Sequence, residues 1–232
     1  MFPFKLDALW PSSESSSLGE FMKLTRLIAV AGLAAGVAVQ IGPGGARAAT
    51  PAAAVARDGP FGIAFGEPLS EVGPTTNNDD DPGGYTVVKP ARANADLPLV
   101  AVIAFPSLGV CRIWAESRDI TGDTTGVQVR AIIEGVATAL QSKYGPPSAK
   151  QNTCTDLPQA CREFWTLKIS ENKLTYEYDW KFADPNRPDK IEAIRLDADA
   201  SNSITSWVQL TYFGTSDDKC EAAMKAAKAS SL

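Results

Sequence analysis

One segment of the chain repeats its apolar positions with the period of a helix, and most other ordered stretches repeat them with period two. In residues 125–144, Val129, Ile132, Ile133, Val136, Ala137, Leu140 and Tyr144 fall on a single stripe. Gln128, Arg130, Glu134, Gln141 and Lys143 take the wet side. Asp123, Thr124 or Thr125 is placed to cap the start, and Gly145-Pro146-Pro147 stops the helix. A helix with one apolar stripe must bury it against another layer, here a sheet. Strands are predicted over Tyr85–Lys89, Leu99–Phe105 and Val110–Glu116, the last two joined as a hairpin by Pro106-Ser107-Leu108-Gly109. Leu99–Phe105 is apolar almost throughout, so both its faces are expected to be covered. After the helix, strands are predicted over Arg162–Ile169, Lys173–Lys181, Lys190–Ala198 and Ile204–Phe213.

Lys173–Lys181 alternates most sharply. Leu174, Tyr176, Tyr178 and Trp180 face one way, and Thr175, Glu177, Asp179 and Lys181 the other. Ile204, Ser206, Val208, Leu210 and Tyr212 likewise share a face opposite Thr205, Trp207, Gln209, Thr211 and Phe213. The short connections favour a consecutive antiparallel meander over crossovers. The predicted fold is therefore α+β, a mainly antiparallel sheet meander packed against one long amphipathic helix, in a single domain over residues 59–216. A helical turn is expected within residues 67–74, and the Ala/Lys-rich tail 217–232 has little apolar surface to bury. Two helical segments ending in Gly-Pro (Gly73-Pro74 and Gly145-Pro146), each tied to a run of strands, read as a degenerate duplication. Over Gly66–Pro74 and Gly126–Pro147 the chain resembles small exported bacterial proteins of the BamE/SmpA and β-lactamase-inhibitor-protein-like group. That resemblance implies a helical segment leading into an antiparallel sheet and carries no active site.

The N-terminal region reads as an address. Met22 opens a basic stretch with Lys23 and Arg26, Leu27–Val39 is apolar, and Ala46-Arg47-Ala48 offers small residues for cleavage before Ala49. The apolar run is short for a membrane span, and Gln40, Gly42, Pro43 and Gly44 interrupt it. Residues 22–48 are thus expected to be a signal peptide, 1–21 an over-extended or disordered leader, and 49–58 a flexible lead-in. The product is expected to be periplasmic or secreted, with no stable membrane span after cleavage.

Cysteine usage agrees with export. The four cysteines, Cys111, Cys154, Cys161 and Cys220, all follow the signal, and an even count there reads as disulfides. Cys154 and Cys161 bracket the loop Thr155–Ala160, so a local bridge is easy, which pairs Cys111 with Cys220. The 232 residues carry 22 Lys+Arg against 27 Asp+Glu and no histidine. The negative balance argues against a nucleic-acid partner. The missing imidazole excludes the Ser-His-Asp triad, the Cys-His dyad and the His-ligated zinc site.

Three groupings remain as candidate chemistry. Tyr176, Tyr178 and Trp180, with Trp165 and Trp207 on neighbouring strands, form either a ligand-binding platform or the sheet face beneath the helix. Glu177 and Asp179 share a strand face, as an acid/base pair for glycoside hydrolysis would, and as solvated strand residues commonly do. Asp79-Asp80-Asp81 offers oxygens to a hard cation but lacks the ligand spacing of a calcium loop and reads as a polar turn. No catalytic residue, cofactor or metal is assigned. The expectation is an exported, soluble, non-enzymatic protein that binds an envelope or secreted protein partner, of inhibitor or immunity type. A carboxylate-based hydrolase and a small-ligand carrier using the aromatic face are the alternatives.

Overall fold

The computed structural model describes residues 59–75 and 84–230. The leader, the signal segment 22–48, the lead-in and Asp79-Asp80-Asp81 lie outside the described residues. The chain forms a mixed α+β structure dominated by an eight-stranded sheet in which every paired neighbour is antiparallel. The order begins with a 3₁₀ turn at Pro60–Gly62 and a short helix α1 (Leu69–Val72). Strands β1 (Thr86–Val88), β2 (Leu99–Phe105), β3 (Gly109–Glu116) and β4 (Ile120–Thr121) follow. Then come helix α2 (Val127–Tyr144), strand β5 (Ala149–Cys154), and helices α3 (Pro158–Glu163) and α4 (Trp165–Ser170). Strands β6 (Leu174–Lys181), β7 (Ile191–Ala200) and β8 (Thr205–Gly214) and helix α5 (Asp217–Ser230) complete the chain.

The sheet order is β1-β2-β3-β8-β7-β6-β5, with β4 paired to the start of β8. It is not one consecutive meander: two meanders, β1-β2-β3 and β5-β6-β7-β8, meet where their last strands pair. The predicted strand over Arg162–Ile169 is also corrected, because this segment is helical. Pro158 opens α3 at a position where its missing N–H is no loss, and Cys161, Trp165 and Ile169 are buried at four-residue spacing. The edge strand β5 is additional to the predicted strands. Its residues are almost all exposed, so it has no alternating pattern, and Lys150 sits on the open edge.

Helix α2 buries Val129, Ile133, Val136, Ala137 and Leu140 against one face of the sheet, over β7 and β8. Leu196, Val208, Leu210 and Tyr212 meet it there, and α4 extends the same layer over β6 and β7. Complete burial of a side chain such as Ile133 contributes about 1.5–3 kcal/mol. On the opposite face α5 contacts β2 and β3 around a smaller cluster of Ile103, Cys111 and Cys220 with Met224. Cys111 is the extra residue of a bulge: Ile103 pairs with Arg112 and Ala104 with Val110. The bulge turns its sulfur toward α5.

Both predicted disulfides are formed, Cys111–Cys220 and Cys154–Cys161. The first spans 109 positions and stabilises by about 4–5 kcal/mol on the chain-entropy model. It explains how an Ala/Lys-rich tail becomes a 14-residue helix. The bridge, with a bidentate Arg112–Asp217 pair at 2.9 and 2.7 Å, holds what apolar burial does not. Among the described residues, no helix is long and apolar enough to cross a membrane.

Candidate functional site

The five aromatic residues do not form one open platform. Tyr176, Tyr178 and Trp180 are buried on the sheet face beneath α2, where successive ring centroids lie 6.2 and 6.1 Å apart. Trp165 joins them edge-on, 5.8 Å from Tyr176, but from helix α4 rather than from a strand. Trp207 is buried on the other face, because β8 directs Val208, Leu210 and Tyr212 toward α2 and alternation turns Trp207 away. An exposed ligand platform on this row is therefore corrected to a packed helix–sheet interface.

Polar tips along that interface converge on one group. The Glu134 carboxylate accepts hydrogen bonds from Tyr176 Oη, from Tyr178 Oη at 2.7 Å and from Lys150 Nζ at 3.3 Å. The Lys150 ammonium also stands 4.5 Å from the Tyr178 ring centroid. Burial opposes ionisation of Glu134, but these donors outweigh it and hold the carboxyl below its ordinary range. Burial, and then the bond to Glu134, push the Tyr178 phenol up to about 12. Both phenols therefore stay neutral donors, and the cluster locks α2 to the sheet rather than supplying an acid or a base.

Glu177 and Asp179 lie on the opposite face. Arg195 Nε stands 3.3 Å from an oxygen of each. Burial first, then a hydrogen bond shared with Asp179, push the Glu177 carboxyl up to about 8, against the pull of Arg195. Two carboxyls turned to one guanidinium, the Glu177 group mostly protonated at neutral pH, make a hydrogen-bonded charged cluster on the strand face. They do not face each other across a gap where a bond would be cleaved. Among the described residues, no group of three or more His, Cys, Asp or Glu is arranged to hold a metal ion.

A different feature gathers at one end of the sheet. β5 finishes where β6 begins, since Cys154 pairs with Leu174. β7 finishes and β8 begins at the same end, and Thr121 of β4 pairs with Thr205. The loops 122–126 and 201–204 and the α3–α4 segment therefore lie together. Gly122 N donates to Ile204 O at 2.7 Å, and Thr166 N donates to Thr124 O at 3.1 Å. Within this end Asp123 caps α2: its carboxylate accepts from the backbone N–H groups of Val127, Gln128 and Val129 at 2.8, 2.8 and 3.1 Å. Gly126 has φ +69° and lies flat under Trp165, where a Cβ would come within 2.2 Å of the indole. The α3–α4 segment is fixed by Cys154–Cys161 and by Lys168, whose ammonium is 2.9 Å from both Asp156 and Glu171. Those two carboxylates hold Lys168 above its ordinary range, and it holds them below theirs.

On this braced end stand the four exposed large apolar side chains of the described residues. Leu157 is 71% exposed, Val127 59%, Phe164 51% and Ile204 49%. They belong to three segments that the fold assembles: the start of α2, the α3–α4 segment and the β7–β8 loop. No local pattern marks them as a surface: Leu157 is one apolar residue in a polar disulfide loop, Phe164 falls within a predicted strand that does not form, and Ile204 continues the inward alternation of the last strand. Comparison with protein-family models, curated proteins and solved structures finds no match to this chain.

Proposed function

We propose that this is an exported, non-enzymatic protein-binding module that acts on an envelope or secreted protein, in the manner of an inhibitor or immunity protein. The observation that carries the reading is the apolar end formed by Val127, Leu157, Phe164 and Ile204. Single exposed apolar residues are ordinary on a protein surface, but grouping them all at one end is the pattern of an interaction site. The bracing beneath them matters equally, because an ordered surface loses less conformational entropy on binding. Two disulfides support an oxidising compartment, periplasmic or extracellular. The sheet order, with a three-stranded and a four-stranded meander each ending at the central β3–β8 pair, favours descent from a duplicated unit.

The test is affinity capture from cell-envelope extract with the purified protein and with the double variant Leu157→Ser/Phe164→Ser. The expected result is a stoichiometric partner retained by the native protein and lost by the variant, whose unfolding midpoint is unchanged. Equal retention by both proteins, or no specific partner, contradicts the proposal.

A further inference from the structure

The sheet has two outer edges, and they are finished differently. Beyond β1 the chain closes its own edge: Thr75 bridges to Val88, and Lys89 N donates to Pro74 O at 3.0 Å. Beyond β5, among the described residues, no strand pairs and no backbone–backbone hydrogen bond is made outward. Ala149 to Thr153 are all exposed. A bare edge invites another strand, and proteins ordinarily guard it with an outward charge, a proline, a bulge or a very short strand. β5 has none of these guards. It is six residues long and contains no proline. Its register with β6 runs unbroken from Ala149↔Asp179 to Cys154↔Leu174. Its one charged residue, Lys150, is tied inward: the ammonium stands 3.3 Å from Glu134 Oε1 of α2 and 4.5 Å from the Tyr178 ring centroid.

Thr155 N donates to Lys173 O at 2.8 Å, which sets the alternation of the ladder. Thr153 and Gln151 then bond inward to β6, while the N–H and C=O groups of Lys150 and Asn152 turn outward from the edge.

We propose that β5 is the pairing edge of a symmetric dimer, in which a second copy of this chain adds its own β5 antiparallel and the two sheets join across a two-fold axis. Any extended chain can satisfy bare backbone groups, so the side chains decide which one fits. Ala-Lys-Gln-Asn-Thr-Cys is polar and offers no apolar pocket to a foreign strand, but it complements itself. Outward groups must meet outward groups, so the axis passes through Asn152 or through Gln151. In the first register Lys150 meets Cys154 and Gln151 meets Thr153. In the second Lys150 meets Asn152 and Ala149 meets Thr153. Neither register sets like charges opposite one another, and both set Gln151 against a polar side chain. A single strand pair is smaller than the roughly 1,200–2,000 Å² of stable interfaces, so the dimer is reversible. It does not draw on Val127, Leu157, Phe164 or Ile204, so either surface can fail without the other.

Sedimentation velocity over a dilution series of the purified protein reads the monomer–dimer equilibrium, and amide exchange at low and high concentration reads where the contact lies. A reversible dimer is expected. The Lys150 and Asn152 amides should slow as concentration rises, while those of Gln151 and Thr153, already held by β6, hardly change. Asn152→Pro removes one outward N–H from each copy, at an edge position that tolerates proline, and should weaken dimerisation by about tenfold or more. Asn152→Lys is an exposed change with no demand on folding. It sets like charges opposite in either register, against itself in the first and against Lys150 in the second, and should weaken dimerisation by about threefold at low salt. Leu157→Ser/Phe164→Ser should leave it unchanged. The inference is overturned if the protein stays monomeric, if neither Asn152 variant weakens the dimer, if the Lys150 and Asn152 amides are indifferent to concentration, or if the Leu157/Phe164 variant abolishes association.

Discussion

Helix α2 and the α3–α4 pair cover the same face of the sheet but are attached by different physics. α2 turns a continuous stripe inward and leaves one large apolar residue, Val127, on the surface. The α3–α4 pair buries Cys161, Trp165 and Ile169 yet leaves Leu157 and Phe164 in solvent. Two six-residue helices are too short to persist alone. A disulfide and the Lys168 ion cluster supply part of what a longer apolar stripe would have contributed. The difference shows how a surface can be rigid without its apolar side chains being used up in the core.

Breaking the buried attachment should have the largest effect. Ile133→Ala removes a side chain with no exposure and should lower unfolding stability by about 3–5 kcal/mol in urea titration. Breaking the covalent attachment should cost less. Cys154→Ser/Cys161→Ser opens a bridge spanning seven positions and should lose about 2–3 kcal/mol, with faster amide exchange concentrated in α3. A loss as large as that of Ile133→Ala, spread over the whole chain, would erase the contrast between the two regions.

The joint between them comes next. Gly126→Ala strains a left-handed position and drives a methyl into Trp165, so both regions should loosen together, by about 2 kcal/mol. Near-UV circular dichroism of the buried indole checks the coupling. An unaltered indole signal would mean that the two regions are independent.

The Glu134 lock is smaller and depends on pH. Its carboxyl is held below the ordinary value in the folded chain, so its contribution is fully present above the unfolded-state value and is lost as pH falls through the folded one. Glu134→Gln should therefore cost about 1 kcal/mol at neutral pH and flatten the acid limb of the stability profile. A parallel acid limb in the variant would show that the tyrosines do not stabilise the ionised carboxylate.

The same contrast explains what the sequence could reveal. The α2 stripe is 18 residues long in the fold and readable as periodicity, and the inward face of β6 was readable as alternation. In α3–α4 the four-residue spacing of Cys161, Trp165 and Ile169 is interrupted by the kink at Phe164, whose φ and ψ are −119° and 44°. Each half is shorter than the window over which a helical period emerges, and Phe-Trp-Thr-Leu-Lys-Ile carries β-forming residues. β5 escaped because an exposed edge strand has no apolar face to betray it. Glu134 sits on the wet side of α2, so its role toward Tyr176 and Tyr178 depends on a sheet pairing that no local pattern records. The apolar end is beyond reach for the same reason: its residues come from three segments brought together only by the strand order.

Site-specific photo-crosslinking in the living cell tests the binding surface most directly. A benzophenone side chain placed at Phe164 is compared with one at Lys219, an exposed position on α5. One discrete protein adduct at Phe164, absent at Lys219, is the predicted result. Identical adducts at both positions, or none at Phe164, would contradict a role for the apolar end in binding.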